Sequence, residues 1–296
     1  MKRNVLNSPR LSELKKRRQR AILNKILIAS FGFLVIFILL VYSSRLSSLN
    51  IAEIQIGGNK VTDTEMIKAV VQEQIAGKYM FLFPKTNILF YPQNTIKNEL
   101  ENKFKRLKDI NLSIKNNQIL EVSLAERNAK YTWCGTNSPE NIGPTEINAD
   151  NQKCYFLDED GYIFDEAPYF SGEVYFKFYG LPAQAGSTLN PLGSYFSKQN
   201  FKELITFKDI LIDIELKPMA LYVTNNGDME IFLSRKNTNG TMPKIIFKAN
   251  ADFKNITENL QAALNTEPLQ SKFKNKYSSL QYIDLRFGNK VYSKFQ

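Results

Sequence analysis

The sequence predicts an α+β protein: a single N-terminal transmembrane helix, a small β-α-α-β-β domain, then a C-terminal, mostly antiparallel β domain with flanking helices. Three observations lead to this fold class. One uncharged apolar run lies near the N-terminus, helical and strand-like apolar spacings follow one another in residues 50–126, and strand-like spacing dominates residues 127–296. The 296 residues are enough for two ordinary domains and a tail.

The positive charge of the chain is concentrated at its N-terminus. Residues 1–25 carry nine Lys and Arg against one acid, Glu13, whereas the other 271 residues carry 30 basic and 28 acidic side chains. Binding of nucleic acid requires clustered cations on the folded body, so no nucleic-acid partner is predicted. We interpret residues 1–25 as a basic cytoplasmic tail.

The composition also argues against an enzyme. There is no histidine, which removes Ser-His and Cys-His catalysis and the usual zinc sites. Carboxylate, Ser-Lys or Tyr chemistry remains open in principle, but no constellation of residues indicates it. We therefore predict no catalytic site, no metal site and no cofactor.

The apolar run Ile26–Tyr42 predicts a transmembrane helix, assigned to residues 26–43. Its seventeen residues without a charge span about 26 Å as a helix, and counting from Ala21, with Lys25 reaching the headgroups, gives a full span. A cleaved signal peptide is the alternative. The run is longer than a usual signal-peptide core and Ser43–Leu46 is a poor cleavage site, so an uncleaved anchor is favoured.

The flanking charges predict the orientation of this helix. Only Arg45 and Lys60 lie within about twenty residues after it, against nine cations before it. The positive-inside rule therefore places the N-terminus in the cytoplasm and residues after about Ser44 outside. The expected location is the inner or plasma membrane, in a single pass.

The two cysteines are candidates for a disulfide on the oxidising side of the membrane. Cys134 follows Tyr131-Thr132-Trp133 and Cys154 precedes Tyr155-Phe156-Leu157, as if the pair closed the base of a long hairpin. Such a bond would stabilise the domain by about 3 kcal/mol. Two unpaired thiols are the alternative.

Residues 50–126 alternate between strand and helix patterns. Ile51, Ile54 and Ile56 predict a strand, and Thr62 stands three residues before Glu65, the spacing of a capping box. The remaining expectations are one helix with Met66, Ile67, Val70, Val71 and Ile75, an apolar connector at Lys78–Phe83, a second helix after Pro92 with Ile96, Leu100 and Phe104, and strands at about Ile110–Lys115 and Gln118–Leu124 joined at Asn116-Asn117.

Residues 127–296 are rich in strand patterns. Strands are predicted at Cys154–Leu157, Tyr162–Phe164, Val174–Tyr179, Met219–Thr224, Met229–Leu233 and Ile245–Phe247, with helices marked by Phe201, Leu204 and Ile205 and by Phe253, Ile256, Leu260 and Leu264. Asn226-Gly227 indicates a hairpin. Asp158–Gly161 is interpreted as an acidic turn, because it lacks the spaced ligands and terminal Glu of a calcium loop.

The last sixteen residues, Gln281–Gln296, predict a closing β-hairpin. Ile283, Leu285 and Phe287 alternate with polar residues, and Gly288-Asn289 supplies turn chemistry. We predict a three-residue loop, Gly288–Lys290, because a two-residue loop would mix the apolar and polar faces. The predicted pairs are Phe287 with Val291, Leu285 with Ser293, Ile283 with Phe295, Asp284 with Lys294 and Arg286 with Tyr292.

This order of segments resembles the FtsQ/DivIB family of bacterial cell-division proteins, whose membrane-proximal module is a POTRA domain. Three stretches carry the resemblance: Val122–Arg127 running on to Trp133, Tyr155–Asp158 followed by Gly161–Phe164, and Ile283–Phe287, similar to the family's closing "IDLR-aromatic" strand. The chain departs from the family at Ala129, where a Pro is expected, and in the loop between the cysteines, which reads as an insertion.

The resemblance implies a non-enzymatic, single-pass scaffold of the divisome at the division septum. Members recruit FtsL-like and FtsB-like proteins and other division components, and thereby help control septal peptidoglycan synthesis. The resemblance assigns residues 50–126 to the POTRA domain and 127–296 to the β domain, and makes the terminal strand the docking edge. Arg286 and Phe287 match the family's functional pair at the start of this surface, and Tyr292 and Lys294 lie on the polar face of the predicted register. The predicted partner-binding residues of the terminal edge are Arg286, Phe287, Val291, Tyr292, Ser293 and Lys294.

Three other interpretations remain. Lys290 and Lys294 can be charges that merely protect an edge strand from aggregation. An anchored cell-wall enzyme would need a carboxylate pair or a Ser-Lys pair in a cleft. A POTRA-bearing transport component would usually carry several such repeats and a membrane β-barrel.

Overall fold

The computed structural model describes residues 9–141, 153–168, 170, 174–181, 190–197, 200–234 and 242–296. The first eight residues of the basic tail and residues 142–152 of the inter-cysteine loop lie outside this range. The chain forms two compact units. The first comprises residues up to Leu100 together with Asp109–Ala125, and the second comprises Glu101–Lys108 and Glu126–Gln296.

The N-terminal helix, α1 (Pro9–Ser44), is longer than expected. It begins at Pro9 rather than at residue 26, because Pro is suited to the first helical position and residues 10–25 are mostly good helix formers. The segment Glu13–Ser44 is long and apolar enough to cross a membrane, and the 18-residue window with that hydropathy is not covered by the rest of the described chain.

The rest of the first unit has the predicted strand and helix order with one addition. Its elements are β1 (Glu53–Gly57), α2 (Thr64–Ile75), β2 (Lys78–Tyr79), β3 (Phe83–Pro84), α3 (Gln93–Lys103), β4 (Leu107–Lys115) and β5 (Ile119–Glu126). Strand β5 lies between β1 and β4 and runs parallel to β1, and β2 pairs with β3 in a separate small hairpin. The helices bury Ile67, Val70, Val71, Ile75, Ile96 and Leu100.

The N-terminus of α2 differs from the predicted capping box. The N-cap is Asp63, not Thr62, and its carboxylate accepts a hydrogen bond from the Glu65 backbone N–H at 2.8 Å. Asp is as good a cap as Thr or better, and its charge also complements the helix dipole.

The second unit is built on a nine-stranded sheet in the order β14-β13-β12-β11-β10-β9-β6-β7-β8, counted over the described residues. Its strands are β6 (Tyr131–Trp133), β7 (Cys154–Leu157), β8 (Ile163–Ala167), β9 (Lys177–Tyr179), β10 (Pro218–Val223), β11 (Asp228–Leu233), β12 (Lys244–Lys248), β13 (Leu280–Phe287) and β14 (Lys290–Phe295). Five of its eight neighbouring pairs are antiparallel, which confirms a mostly antiparallel sheet.

In the described part of this unit, three α-helices accompany the sheet: α4 (Phe201–Asp213), α5 (Phe253–Leu264) and α6 (Leu269–Lys276). Helices α4 and α5 bury Phe207, Leu211, Ile256 and Leu260 in one cluster with strand residues such as Ile283. Helix α6 was not predicted from the sequence, because its eight residues bury only Leu269 and give no clear apolar period.

Two boundaries in this unit correct the predictions. The strand expected at Val174–Tyr179 is limited to Lys177–Tyr179. The aromatic run Tyr131–Trp133 is itself a strand, and it lies between β9 and β7. Cys134 and Cys154, at the ends of β6 and β7, are joined in a disulfide with a Cα–Cα distance of 4.2 Å.

The acidic turn after β7 is held by a buried carboxylate. Asp158 Oδ1 accepts hydrogen bonds from the backbone N–H groups of Asp160 and Tyr162, both at 2.9 Å, and Oδ2 pairs with the Arg127 guanidinium. The guanidinium lies 4.0 Å from the centre of the Tyr162 ring. Asp158 is 1% exposed, so this turn is an internal anchor of the second unit.

Candidate partner-binding edge

The closing hairpin has a shorter loop than predicted. Phe287 is opposite Lys290, so the loop is the two residues Gly288-Asn289 rather than Gly288–Lys290. Gly288 has a φ of 62°, a left-handed value that glycine adopts without steric cost at this position of a tight hairpin turn. The three-residue prediction was therefore wrong.

A β-bulge next to the loop separates Phe287 from the apolar face on which it was predicted to lie with Ile283 and Leu285. Leu285 and Arg286 together stand opposite the single residue Val291, and this extra residue brings Phe287, opposite Lys290, to the face of Tyr292. None of the five predicted pairs is observed. Tyr292 and Lys294 still share one face of β14, because the register from Tyr282 to Asp284 differs from the predicted one by two residues, with observed pairs Tyr282 with Lys294, Ile283 with Ser293 and Asp284 with Tyr292. A second irregularity follows between Leu280 and Tyr282, and Leu280 is opposite Phe295.

The bulge is fixed by charged hydrogen bonds around Arg286. Its Nε and Nη2 donate to the Asp284 carboxylate at 2.9 and 2.6 Å, and its Nη1 donates to Asp228 Oδ2 at 2.7 Å. The Arg286 backbone N–H also donates to Asp284 Oδ1 at 3.1 Å. Asp284 and Asp228 raise the pKa of the Arg286 guanidinium, which stays charged at any physiological pH.

These contacts engage Arg286 within the hairpin and with β11. Asp284 is only 5% exposed and needs a cation to offset the loss of its hydration. The Arg286 guanidinium binds this carboxylate with two nitrogens and reaches past one strand, β12, to Asp228 at the start of β11. We infer that Arg286 positions the next residue, Phe287, rather than forming the docking surface itself.

Phe287 and Tyr292 form an exposed aromatic pair beside the bulge. Their rings meet edge to face, with centroids 5.2 Å apart, and the side chains are 55% and 49% exposed. Exposed aromatic residues in a fixed geometry are typical anchors of protein–protein interfaces. The sequence analysis placed both residues at the site but did not predict their contact.

The other face of β14 packs against the helices. Val291 and Phe295 are partly buried against the core, and Lys272 of α6 lies over the Phe295 ring at 6.0 Å. The Asn259 amide of α5 donates to the Gly288 carbonyl at 3.2 Å. One face of the terminal strand is therefore fixed to the unit, while Tyr292 and Lys294 lie on the opposite face.

Strand β14 ends the sheet. Among the residues that the structure describes, it pairs only with β13, so its other side presents backbone N–H and C=O groups. Ser293 and Lys294 are exposed and Val291 is half-buried. Of the six predicted residues, five lie along or beside this edge with accessible side chains, and Arg286 is engaged within the unit.

Sequence reasoning missed Asp284 and Asp228 as determinants of this site. The Asp284–Arg286 spacing places both side chains on one face of a strand, which is the signal that could have revealed their contact. Asp228 lies 58 residues before Arg286, and its contribution depends on strand order, which the sequence did not show.

Within the described ranges no group of three or more His, Cys, Asp or Glu side chains could hold a metal ion. No protein-family model matches the chain, and a search of curated proteins finds no match either. Function is therefore inferred from this edge and from the sequence motifs.

Proposed function

We propose that this protein is a non-enzymatic, membrane-anchored scaffold that captures a partner by adding a strand to β14. The partner's main chain would pair with the free side of β14, and its side chains would contact Phe287, Tyr292 and Lys294. Main-chain pairing supplies affinity in this mode and side-chain contacts supply specificity.

One observation carries the proposal: an edge strand whose outer backbone is unpaired among the described residues stands beside a fixed, half-exposed aromatic pair. The bulge held by Arg286 increases the local twist and presents Phe287 beside Tyr292. A strand protected only against aggregation would need its lysines but not this pair, which places about half of each large apolar surface in water.

The identity of the partner is proposed from the sequence motifs. The resemblance to FtsQ/DivIB proteins names an FtsB-like segment at this edge, with FtsL-like and further divisome proteins in the same assembly. The β-α-α-β-β order of the first unit after α1 agrees with a POTRA-like module, and α1 with a cytoplasmic N-terminus would hold the residues that follow it outside the membrane. We propose that the protein acts at the division septum in this way.

The test is binding of the full chain, in nanodiscs, to a peptide of the host's FtsB-like extracytoplasmic segment. We expect Phe287→Ala and Tyr292→Ala each to weaken the Kd by about tenfold or more, as central aromatic anchors do. A chain that ends at Phe287 should not bind measurably, because it lacks the whole edge.

Two matched variants serve as controls. Ile212 on α4 is 52% exposed, a fraction similar to that of Phe287, so Ile212→Ala tests for a general effect of removing exposed apolar surface. Met66 on α2 is 54% exposed, so Met66→Ala is a second control in the other unit and should keep the wild-type Kd within about twofold. Unchanged affinity in both aromatic variants and in the truncated chain would reject docking at β14.

A further inference from the structure

An exposed aromatic loop lies in the first unit, between α2 and α3. We define the aromatic loop as Lys78–Phe90, which includes β2 and β3. Met80 and Phe81 at its tip are 84% and 92% exposed, and Leu89 and Phe90 are 72% and 55% exposed. Four large apolar side chains within eleven residues are thus mostly exposed, which a purely water-facing loop does not need.

The aromatic loop is attached to the end of α1. The Phe83 ring packs edge to face on Phe37 of α1, with centroids 6.0 Å apart, and on Phe90 at 6.3 Å. Phe37 lies seven residues before the end of α1 at Ser44, or about 10 Å along the helix axis. The loop therefore reaches back along the uncharged run of α1.

Hydrogen bonds fix this arrangement. The Ser44 carbonyl accepts from the side-chain amides of Asn50 and Asn87 at 3.1 and 3.0 Å, and Asn87 is 1% exposed. The Arg45 guanidinium donates to the Leu82 carbonyl at about 3.4 Å. The loop is thus held beside the end of α1 by one buried hydrogen bond from Asn87, by the exposed bond from Arg45 and by ring packing.

The charges around the loop favour a lipid headgroup region. Residues 74–98 contain three lysines and no acid, and Lys85 lies over the Tyr79 ring at 5.7 Å. Lysine and tyrosine beside exposed Phe and Met are the composition of segments that lie at a membrane interface.

The backbone at the tip is also unusual. Met80 and Phe81 have φ values of 46° and 64°, in the left-handed region that bulky residues seldom adopt. Glycine or asparagine would fit this turn with less strain, so large apolar side chains are retained at a conformational cost.

We propose that the tip of the aromatic loop, Met80-Phe81, inserts into the outer leaflet of the bilayer that α1 crosses. This inference rests on the membrane placement of α1 and not on the division role. The occupant of the exposed surface is the bilayer rather than a protein, because the loop is continuous with the apolar surface of α1 and is flanked by cations. The chain would then contact the membrane at two places, which restrains the tilt of the first unit.

The experiment uses tryptophan as a depth probe in the full chain. Trp133 is the single tryptophan and is 4% exposed, so it provides a constant background. Phe81→Trp is compared with two matched variants in vesicles of phosphatidylethanolamine and phosphatidylglycerol. Leu34→Trp probes the middle of the apolar run of α1. Met66→Trp probes an apolar, 54% exposed position in the first turn of α2. Brominated acyl chains and aqueous iodide are the quenchers.

We expect brominated lipid to quench the added fluorescence of Phe81→Trp several times more strongly than the added fluorescence of Met66→Trp. We also expect iodide to quench Phe81→Trp as weakly as it quenches Leu34→Trp. Iodide quenching of Phe81→Trp equal to that of Met66→Trp, with Leu34→Trp still quenched by lipid, would overturn the inference and leave the anchor intact. Iodide quenching of Leu34→Trp would overturn both. Partner binding at β14 is measured separately, so its failure is distinguishable from either result.

Discussion

The two edges of the nine-stranded sheet end in opposite ways. At β8 the chain covers the start of the edge strand: the Ile163 N–H donates to the Ser194 carbonyl at 2.9 Å, and the Gly193 N–H donates to the Ile163 carbonyl at 2.8 Å. Phe196 continues this cover with a bond to the Gly161 carbonyl at 2.9 Å. At β14 no such cover exists within the described residues.

The chain therefore pairs part of one edge of the described sheet with its own backbone and leaves the other edge, β14, without such pairing. Edge strands with unpaired backbone groups tend to associate with other chains. An open edge therefore carries a risk of aggregation unless a partner occupies it. The turn that precedes β8 at the covered edge contains the buried ion pair of Asp158 with Arg127. The open edge contains the partly exposed ion pair of Arg286 with Asp228. We therefore expect substitutions at the covered edge to lower stability and those at the open edge to lower binding.

The largest expected effect is at the covered edge. Asp158→Asn keeps the acceptor for the two turn N–H groups but leaves the Arg127 guanidinium, 15% exposed, without its counter-charge. Removing one member of a buried ion pair costs about 3–5 kcal/mol in the free energy of unfolding. The measurement is urea unfolding of the detergent-solubilised chain, followed by Trp133 fluorescence.

The control for that variant is Asp160→Asn in the same turn. Asp160 is half-exposed and pairs with Lys202 at 3.4 Å, so its neutralisation should cost less than about 1 kcal/mol. Equal losses for Asp158→Asn and Asp160→Asn would show that the buried carboxylate is not the anchor of the covered edge.

The next effect concerns the disulfide between β6 and β7, in the same half of the sheet. Replacing both Cys134 and Cys154 with serine releases a constraint across twenty residues and should lower the unfolding free energy by about 3 kcal/mol. Partner affinity should not change, because β14 is at the other end of the sheet order. A loss of affinity with retained folding would contradict the separation of the two edges.

A smaller effect is expected for Arg286→Ala at the open edge. The side chain is 32% exposed, so solvent screening reduces its contribution, and we expect a loss of about 1–3 kcal/mol in unfolding free energy. Binding should weaken as well, because Phe287 loses its fixed position. A double-mutant cycle with Asp228→Ala measures the coupling in unfolding free energy, and Lys294→Ala, at an exposed position of β14, is the control for stability alone. Zero coupling would reject the role assigned to this ion pair.

The smallest stability effect is predicted for Phe287→Ala. More than half of the side chain is in water, so its removal should cost less than about 1 kcal/mol, although partner affinity falls about tenfold. Comparison of the urea midpoint and the Kd for one preparation checks both values. A stability loss as large as that of Asp158→Asn would make Phe287 a core residue and remove the contrast between the edges.

The sequence predicted what depends on local periodicity. The strand Cys154–Leu157, the helix that begins at Phe201 and the alternation along β14 all follow from patterns of apolar residues. The apolar run within α1 was equally visible, although the helical basic segment before it was not, because that segment has good helix propensity without an apolar period.

The missed features depend on contacts between distant residues. The hairpin loop could not be predicted from Gly288-Asn289 alone, since the bulge that corrects its register is held in part by Asp228 from another strand. The cover of β8 by Gly193–Phe196 has no pattern of its own. The position of β6 between β9 and β7 is likewise a matter of strand order, which local propensity does not determine.

The two amides that bind the Ser44 carbonyl have a mechanical consequence. A transmembrane helix that is joined to its domain by a flexible linker can rotate about its axis without rotating that domain. Here the side-chain amides of Asn50 and Asn87 bind the last residue of α1, and the Phe83 ring packs on Phe37, seven residues before the end of the helix. A rotation imposed on the helix, by lipids or by another helix packed on it, is therefore transmitted to the rest of the first unit. The connection between α1 and that part of the chain is rigid to rotation about the helix axis.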